Sequence, residues 1–119
     1  MRAARLLVDG HDTAPVLVAD TPVSRLRGML GRAPLPPALL LRPANSVHGV
    51  GMRESLEVAV LDASGGVVST TVLRPGRMTR PVRGGSQVLE APLGSFTRWG
   101  LRVGSHIETV NAPPGGGRP

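Results

Sequence analysis

The chain has 119 residues and no cysteine, a length that suits one domain burying roughly two thirds of its unfolded surface. The missing thiols exclude disulfides, thiolate zinc sites and cysteine nucleophiles. Apolar residues make up 40% of the chain, with one Phe, one Trp and no Tyr, while all 14 basic residues are Arg and the formal charge is +6. The core must therefore be aliphatic, and a platform of aromatic rings for stacking bases is disfavoured. The charge suggests an anionic partner, although the codon bias of a GC-rich genome produces the same Arg-, Ala-, Gly- and Pro-rich composition.

The N-terminal apolar run is only Leu6, Leu7 and Val8, too short for a secretory core or a membrane span. A soluble, cytoplasmic chain is expected. Residues 4–8 and 14–19 read as a hairpin joined by Asp9-Gly10-His11-Asp12, a loop slightly longer than the two-residue minimum, with His11 a solvated turn residue. Thr21 as N-cap and Pro22 at the first helical position open a helix over residues 22–31. Its apolar stripe is Val23, Leu26 and Leu30, and Gly31 is its stop. Pro34, Pro36 and Pro37 make residues 32–37 an extended loop, and residues 38–41 a buried strand.

If residues 47–52 are extended, His48, Val50 and Met52 share one face, while Gly49 and Gly51 leave the other bare. That bareness marks a bulge or a close backbone approach. Leu56, Val58 and Val60 alternate with Glu57, Ala59 and Leu61 to define a strand, residues 62–66 turn, and residues 67–73 return. Residues 74–85 hold Pro75, Pro81 and three glycines and form a long loop, a type of segment that is often functional. A strand over 86–91, a short helix over 95–100 with Ser95 as N-cap and Gly100 as stop, and a strand over 106–110 follow. Residues 111–119 read as a disordered Pro/Gly tail after a single domain of residues 1–110. The sum is a mainly β domain of about eight short strands and two short helices, an antiparallel sandwich or barrel.

Three segments occur in a telling order: ADTPVSRLRGMLGR at 19–32, HGVGMRESLEVAVLDASGGVV at 48–68, and VLEAPLGSFTRWGLRVGSHI at 88–107. Together they resemble the bacterial and archaeal family called domain of unknown function 192, over roughly residues 14–110. The resemblance implies a compact jelly-roll-like or barrel-like β fold. It implies no activity, because none is established for the family. Three departures stand out: Ser55-Leu56-Glu57 replaces the family's Pro-Ile-Asp, Gly49, Val50 and Val60 replace aromatic residues, and Gly104-Ser105 replaces Gly-Asp. A site built on an aromatic wall or on that Asp would be lost here.

The histidines lie at 11, 48 and 106, and no G-x-S-x-G elbow is present. His48 alone sits inside a signature, where it could act as a base or ligand with Glu57 or Asp62; a histidine bonded to backbone is the plainer reading. His48, His106, Glu54, Glu57 and Asp62 match no metal-ligand spacing, and neither a G-x-G-x-x-G loop nor a P-loop occurs, so no metal or cofactor is expected. Met52 fits a core filler. Arg53 suits a cross-strand carboxylate or a ligand anion. Arg74, Arg77, Arg80 and Arg83 recur every third residue, a spacing that would align them on one side of a polyproline II helix as an anion comb, or leave them as a solvated face. The leading expectation is a non-catalytic module that binds a small anionic ligand or a protein partner through a rim made of His48, Met52, Arg53 and the four loop arginines. A small hydrolase or isomerase using His48 with Glu57 or Asp62 is the alternative from another class, and a nucleic-acid or other polyanion binder using the arginine comb is the third. No membrane association is expected.

Overall fold

A computed structural model describes residues 1–21, 35–49 and 52–111. The expected helix over 22–31 lies outside the described residues, as do Val50, Gly51 and residues 112–119 of the tail expected over 111–119, whereas Asn111 ends the last strand. The elements are β1 (Arg2–Val8), β2 (His11–Ala19), β3 (Leu39–Leu41), β4 (Leu56–Leu61), β5 (Val67–Leu73), β6 (Gln87–Pro92), α1 (Ser95–Trp99) and β7 (Ile107–Asn111). The strands form one sheet in the order β5-β4-β6-β3-β2-β1-β7. Every neighbouring pair is antiparallel except β2 with β3. The mainly antiparallel β class is as the sequence implies.

Two local expectations are corrected. The β1–β2 loop is a two-residue turn: Asp9 and Gly10 have φ of 50° and 84°, the pair of positive values that a type I′ hairpin needs. His11 and Asp12 belong to β2 instead of the loop, and the extra residue is absorbed by a bulge between Leu6 and Leu7. Asp9 is held in its unusual conformation because its Oδ1 accepts the His106 N–H at 2.8 Å. The eighth strand expected over 47–52 is reduced, among the described residues, to a single bridge between His48 and Met78.

The sheet curls until its two edge strands meet at one corner. Gly66 bridges His106, the Val67 N–H donates to the Ser105 carbonyl at 2.9 Å, and the Ile107 N–H donates to the Gly65 carbonyl at 2.8 Å. Along the rest of their length the two edges do not pair. The concave side packs Leu6, Val16, Val18, Leu40, Leu61, Leu89 and Ile107 with Phe96 of α1. On the other side Leu39, Leu41, Leu56, Val58, Val60, Leu73 and Val88 are also buried, beneath Leu35, Ala44, Val47, Met52 and Val82. Strands covered on both sides read as continuous apolar runs, which is why β3 is LLL with all three residues buried.

At α1 the expected Ser95 cap is replaced. Gly94 stands at the N-cap with φ 88° and offers no side chain, and the Phe96 N–H is instead accepted by Glu57 Oε1 at 2.8 Å. Gly100 ends the helix in the left-handed region, as expected.

Candidate functional site

The loop after β5 is not loose. Its residues fold back onto the 47–49 segment: the Gly49 N–H donates to the Arg77 carbonyl at 2.7 Å, the Gly76 N–H to the Gly49 carbonyl at 2.9 Å, and the Thr79 N–H to the Val47 carbonyl at 2.8 Å. The Thr79 hydroxyl in turn accepts the Val47 N–H at 2.9 Å. Farther along, Asn45 Oδ1 accepts the Val82 N–H at 2.7 Å. Gly49 makes the close approach that its missing side chain suggested, since a Cβ there would lie 2.8 Å from the Arg74 carbonyl oxygen. The loop is thus joined to the first part of the segment expected to share its rim, through Val47 and Gly49.

Between this loop and the face of β5 runs an open groove of about 640 Å³. Ser69, Thr71 and Leu73 of β5 form its floor, and Arg74, Arg77, Met78, Thr79 and Arg80 line its wall. The loop is no continuous polyproline helix, because the Arg77 N–H closes a turn onto the Arg74 carbonyl at 3.0 Å and such a helix has no internal hydrogen bonds. Three of the four arginines nevertheless share one cavity, and Arg83 stands outside its lining. The ion pairs found among the described residues are Arg2–Asp20 and Arg5–Asp12, joined by His106–Glu108 when the imidazole is protonated. None involves a loop arginine, so the positive charge of the groove is uncompensated from within the described residues.

The remaining residues singled out from sequence are placed as follows. His48 is exposed and meets the loop through its backbone; among the described residues no hydrogen bond or ion pair joins its imidazole to Glu57 or Asp62. Glu57 caps α1. Asp62 Oδ1 accepts the Ser64 hydroxyl at 2.7 Å and the N–H groups of Ser64 and Gly66 at 2.9 Å each, and these bonds, the Ser64 hydroxyl foremost, hold its carboxyl below the usual carboxylate range. Met52 is half-buried against the cluster of Ala19, Leu39, Leu41 and Leu56. Arg53 is exposed, with no carboxylate partner among the described residues. No group of three or more His, Asp or Glu side chains converges among the described residues.

One residue was missed. Glu90 sits on β6 directly between Leu39 of β3 and Val58 of β4, only 3% exposed, and desolvation pushes its carboxyl up to about 7. No hydrogen bond or ion pair to it is found among the described residues. A signal was available: in VLEAP the acid falls at the position that alternation assigns to the face of Val88, in a strand with no polar face. Ser105 resolves one family departure, because its Oγ accepts the Arg102 N–H at 3.1 Å while its own N–H donates to the Arg102 carbonyl at 2.9 Å. It closes the turn that an Asp at this position could close.

The sequence pattern of the domain of unknown function 192 family, described as Uncharacterized ACR, matches residues 4–109. The chain belongs to this family. Its relatives include a UPF0127 protein of Pyrococcus furiosus, 33% identical over 98 residues that span 78% of this chain and 84% of the relative. Another, from Thermococcus sibiricus, is 30% identical over 102 residues, 81% of this chain and 66% of the relative. The fold of this DUF192 domain is similar to a crystal structure of a protein of unknown function from Novosphingobium aromaticivorans, with a TM-score of 0.75 at 19% identity over 89% of this chain and 84% of that one. It is also similar to a putative transcription regulator from Sinorhizobium meliloti, with a TM-score of 0.72 at 20% identity, covering 90% and 92% of the two chains. Both likenesses are of fold. Among its described residues the DUF192 domain has no helix long and apolar enough to cross a membrane.

Proposed function

We propose that this DUF192 domain is a non-catalytic, cytoplasmic binding module that holds an anionic ligand in the groove between β5 and the 74–83 loop. The observation that carries this reading is the convergence of Arg74, Arg77 and Arg80 on one cavity with no ion pair among the described residues. Guanidinium forks match carboxylate and phosphate oxygens bidentately, and the Ser69 and Thr71 hydroxyls beside them supply further donors, whereas the Thr79 hydroxyl donates to the Val47 carbonyl at 3.3 Å. The backbone bonds to Val47 and Gly49 fix the loop in advance, so little ordering opposes capture. A hydrolase or isomerase reading draws less support, because Glu57 and Asp62 spend their oxygens on a helix end and a turn.

Calorimetric titration with pyrophosphate and with citrate tests the proposal. Arg77→Ala combined with Arg80→Ala should weaken binding by about tenfold or more, consistent with the loss of charge-assisted bonds, whereas Arg2→Ala, which opens the exposed pair with Asp20, should leave it unchanged. Equal affinity in all three proteins would discard the groove as the site.

A further inference from the structure

The groove has a second property that a small anion does not use. It runs along β5, the edge of the sheet. The outer side of that strand is paired only at its first residues, through the bridge of Gly66 with His106 and the bonds of Val67 and Gly65 to Ser105 and Ile107. From Val68 to Leu73 no other strand lies against it among the described residues, and alternate backbone N–H and C=O groups of such an edge are left to pair with another chain. Two apolar side chains on this edge strand are exposed, Val68 at 37% and Val72 at 50%.

We infer that the partner is an extended acidic peptide that adds as a further strand to β5. This rests on the anion-binding reading of the groove and names the ligand that would use all of it. An added strand presents its side chains alternately to the two faces of the sheet. One set would face the groove, where Ser69, Thr71 and Leu73 lie beneath Arg74, Arg77 and Arg80. The other set would lie beside Thr70 and Val72, which share the opposite face with Ala59, Glu57 and Ala91 through their cross-strand pairs. The chemistry therefore calls for carboxylates at every second position and apolar residues between them. A second copy of the chain fits poorly, since it would bring another net charge of +6 to a cationic edge.

The test is fluorescence anisotropy with a labelled peptide of alternating Glu and Val, titrated with the full chain. Two versions of the peptide, N-methylated on alternate residues in either register, keep every charge and remove one set of backbone donors. The expected result is that the parent peptide binds, that one methylated register binds about tenfold or more weakly, and that Arg77→Ala with Arg80→Ala weakens all of them. Should both methylated peptides bind as well as the parent while the arginine variant loses them all, strand addition falls and the anion-binding groove stands. Should neither the peptide nor pyrophosphate bind, both readings fall. Tighter binding of mixed-sequence single-stranded DNA than of the peptide, or a concentration-dependent dimer in light scattering, would overturn the acidic peptide as occupant.

Discussion

Glu57 and Phe96 lie 39 positions apart in the chain, and the carboxylate of the first accepts the main-chain N–H of the second at 2.8 Å. This bond ties the start of β4 to the start of a five-residue helix whose own N-cap is a glycine. A helix so short cannot stand by propensity, so the tether and the burial of Phe96 hold it in place. Glu57→Ala should therefore cost about 1–2 kcal/mol, the range for losing a side-chain cap. Urea denaturation of the two proteins checks this, and a loss below a few tenths of a kcal/mol would show that the bond is incidental.

That tether also marks the boundary of what the sequence could reveal. The strand of Leu56, Val58 and Val60 and its turn at Asp62 were legible because alternation and turn chemistry are local. Burial of both faces of β4, with Ala59 and Leu61 as deeply covered as Val58 and Val60, was present in the nearly continuous run LEVAVL but reads equally as one apolar side. Pairing of β3 with β2 and β6 depends on contacts between distant segments, and no local pattern encodes it. The close packing of the loop against Gly49 was legible, because the bareness of that position indicated a close neighbour. Which arginines would share a cavity was not, because the turn at Arg74 to Arg77 redirects the comb. Glu90 escaped because a charge inside an apolar strand is easily taken as its solvent face, and only the neighbours on both sides show that no such face exists.

Gly49 connects the scaffold to the groove. A methyl group there would sit 2.8 Å from the Arg74 carbonyl oxygen, closer than a real contact allows, so the loop must shift outward. Gly49→Ala should cost about 1–3 kcal/mol, as overpacking does. It should also speed amide exchange at Gly76 and Thr79, whose N–H groups bond to this segment. Unchanged exchange at both amides would mean that the loop is held by other contacts.

The corner where β5 meets β7 depends on Gly65. Its φ is +98°, and a Cβ would collide with the Ile107 carbonyl oxygen, to which backbone leads on both sides. Gly84 has a similar φ of +82° with nothing near the missing side chain. Gly84→Ala should thus show only the conformational cost, about 1 kcal/mol, and Gly65→Ala that cost plus the collision, more than about 2 kcal/mol. Thermal melting of both variants makes the comparison, and equal shifts would show that the corner gives way freely.

Glu90 should leave a signature in stability against pH. Burial raises its carboxyl from an ordinary 4.5 to about 7 in the folded chain. Below pH 4.5 both the folded and unfolded states hold the proton, and this group adds no pH dependence. Between about 4.5 and 7 the folded state keeps a proton that the unfolded state has released, so stability falls as pH rises; above about 7 the loss is complete. The difference corresponds to about 3 kcal/mol. Glu90→Gln retains the shape without the titration and should flatten this part of the curve. The measurement is the free energy of unfolding in urea at a series of pH values across that window for both proteins. Parallel curves would mean that the carboxylate reaches enough water, or a counter-charge, to stay ionised in the folded domain.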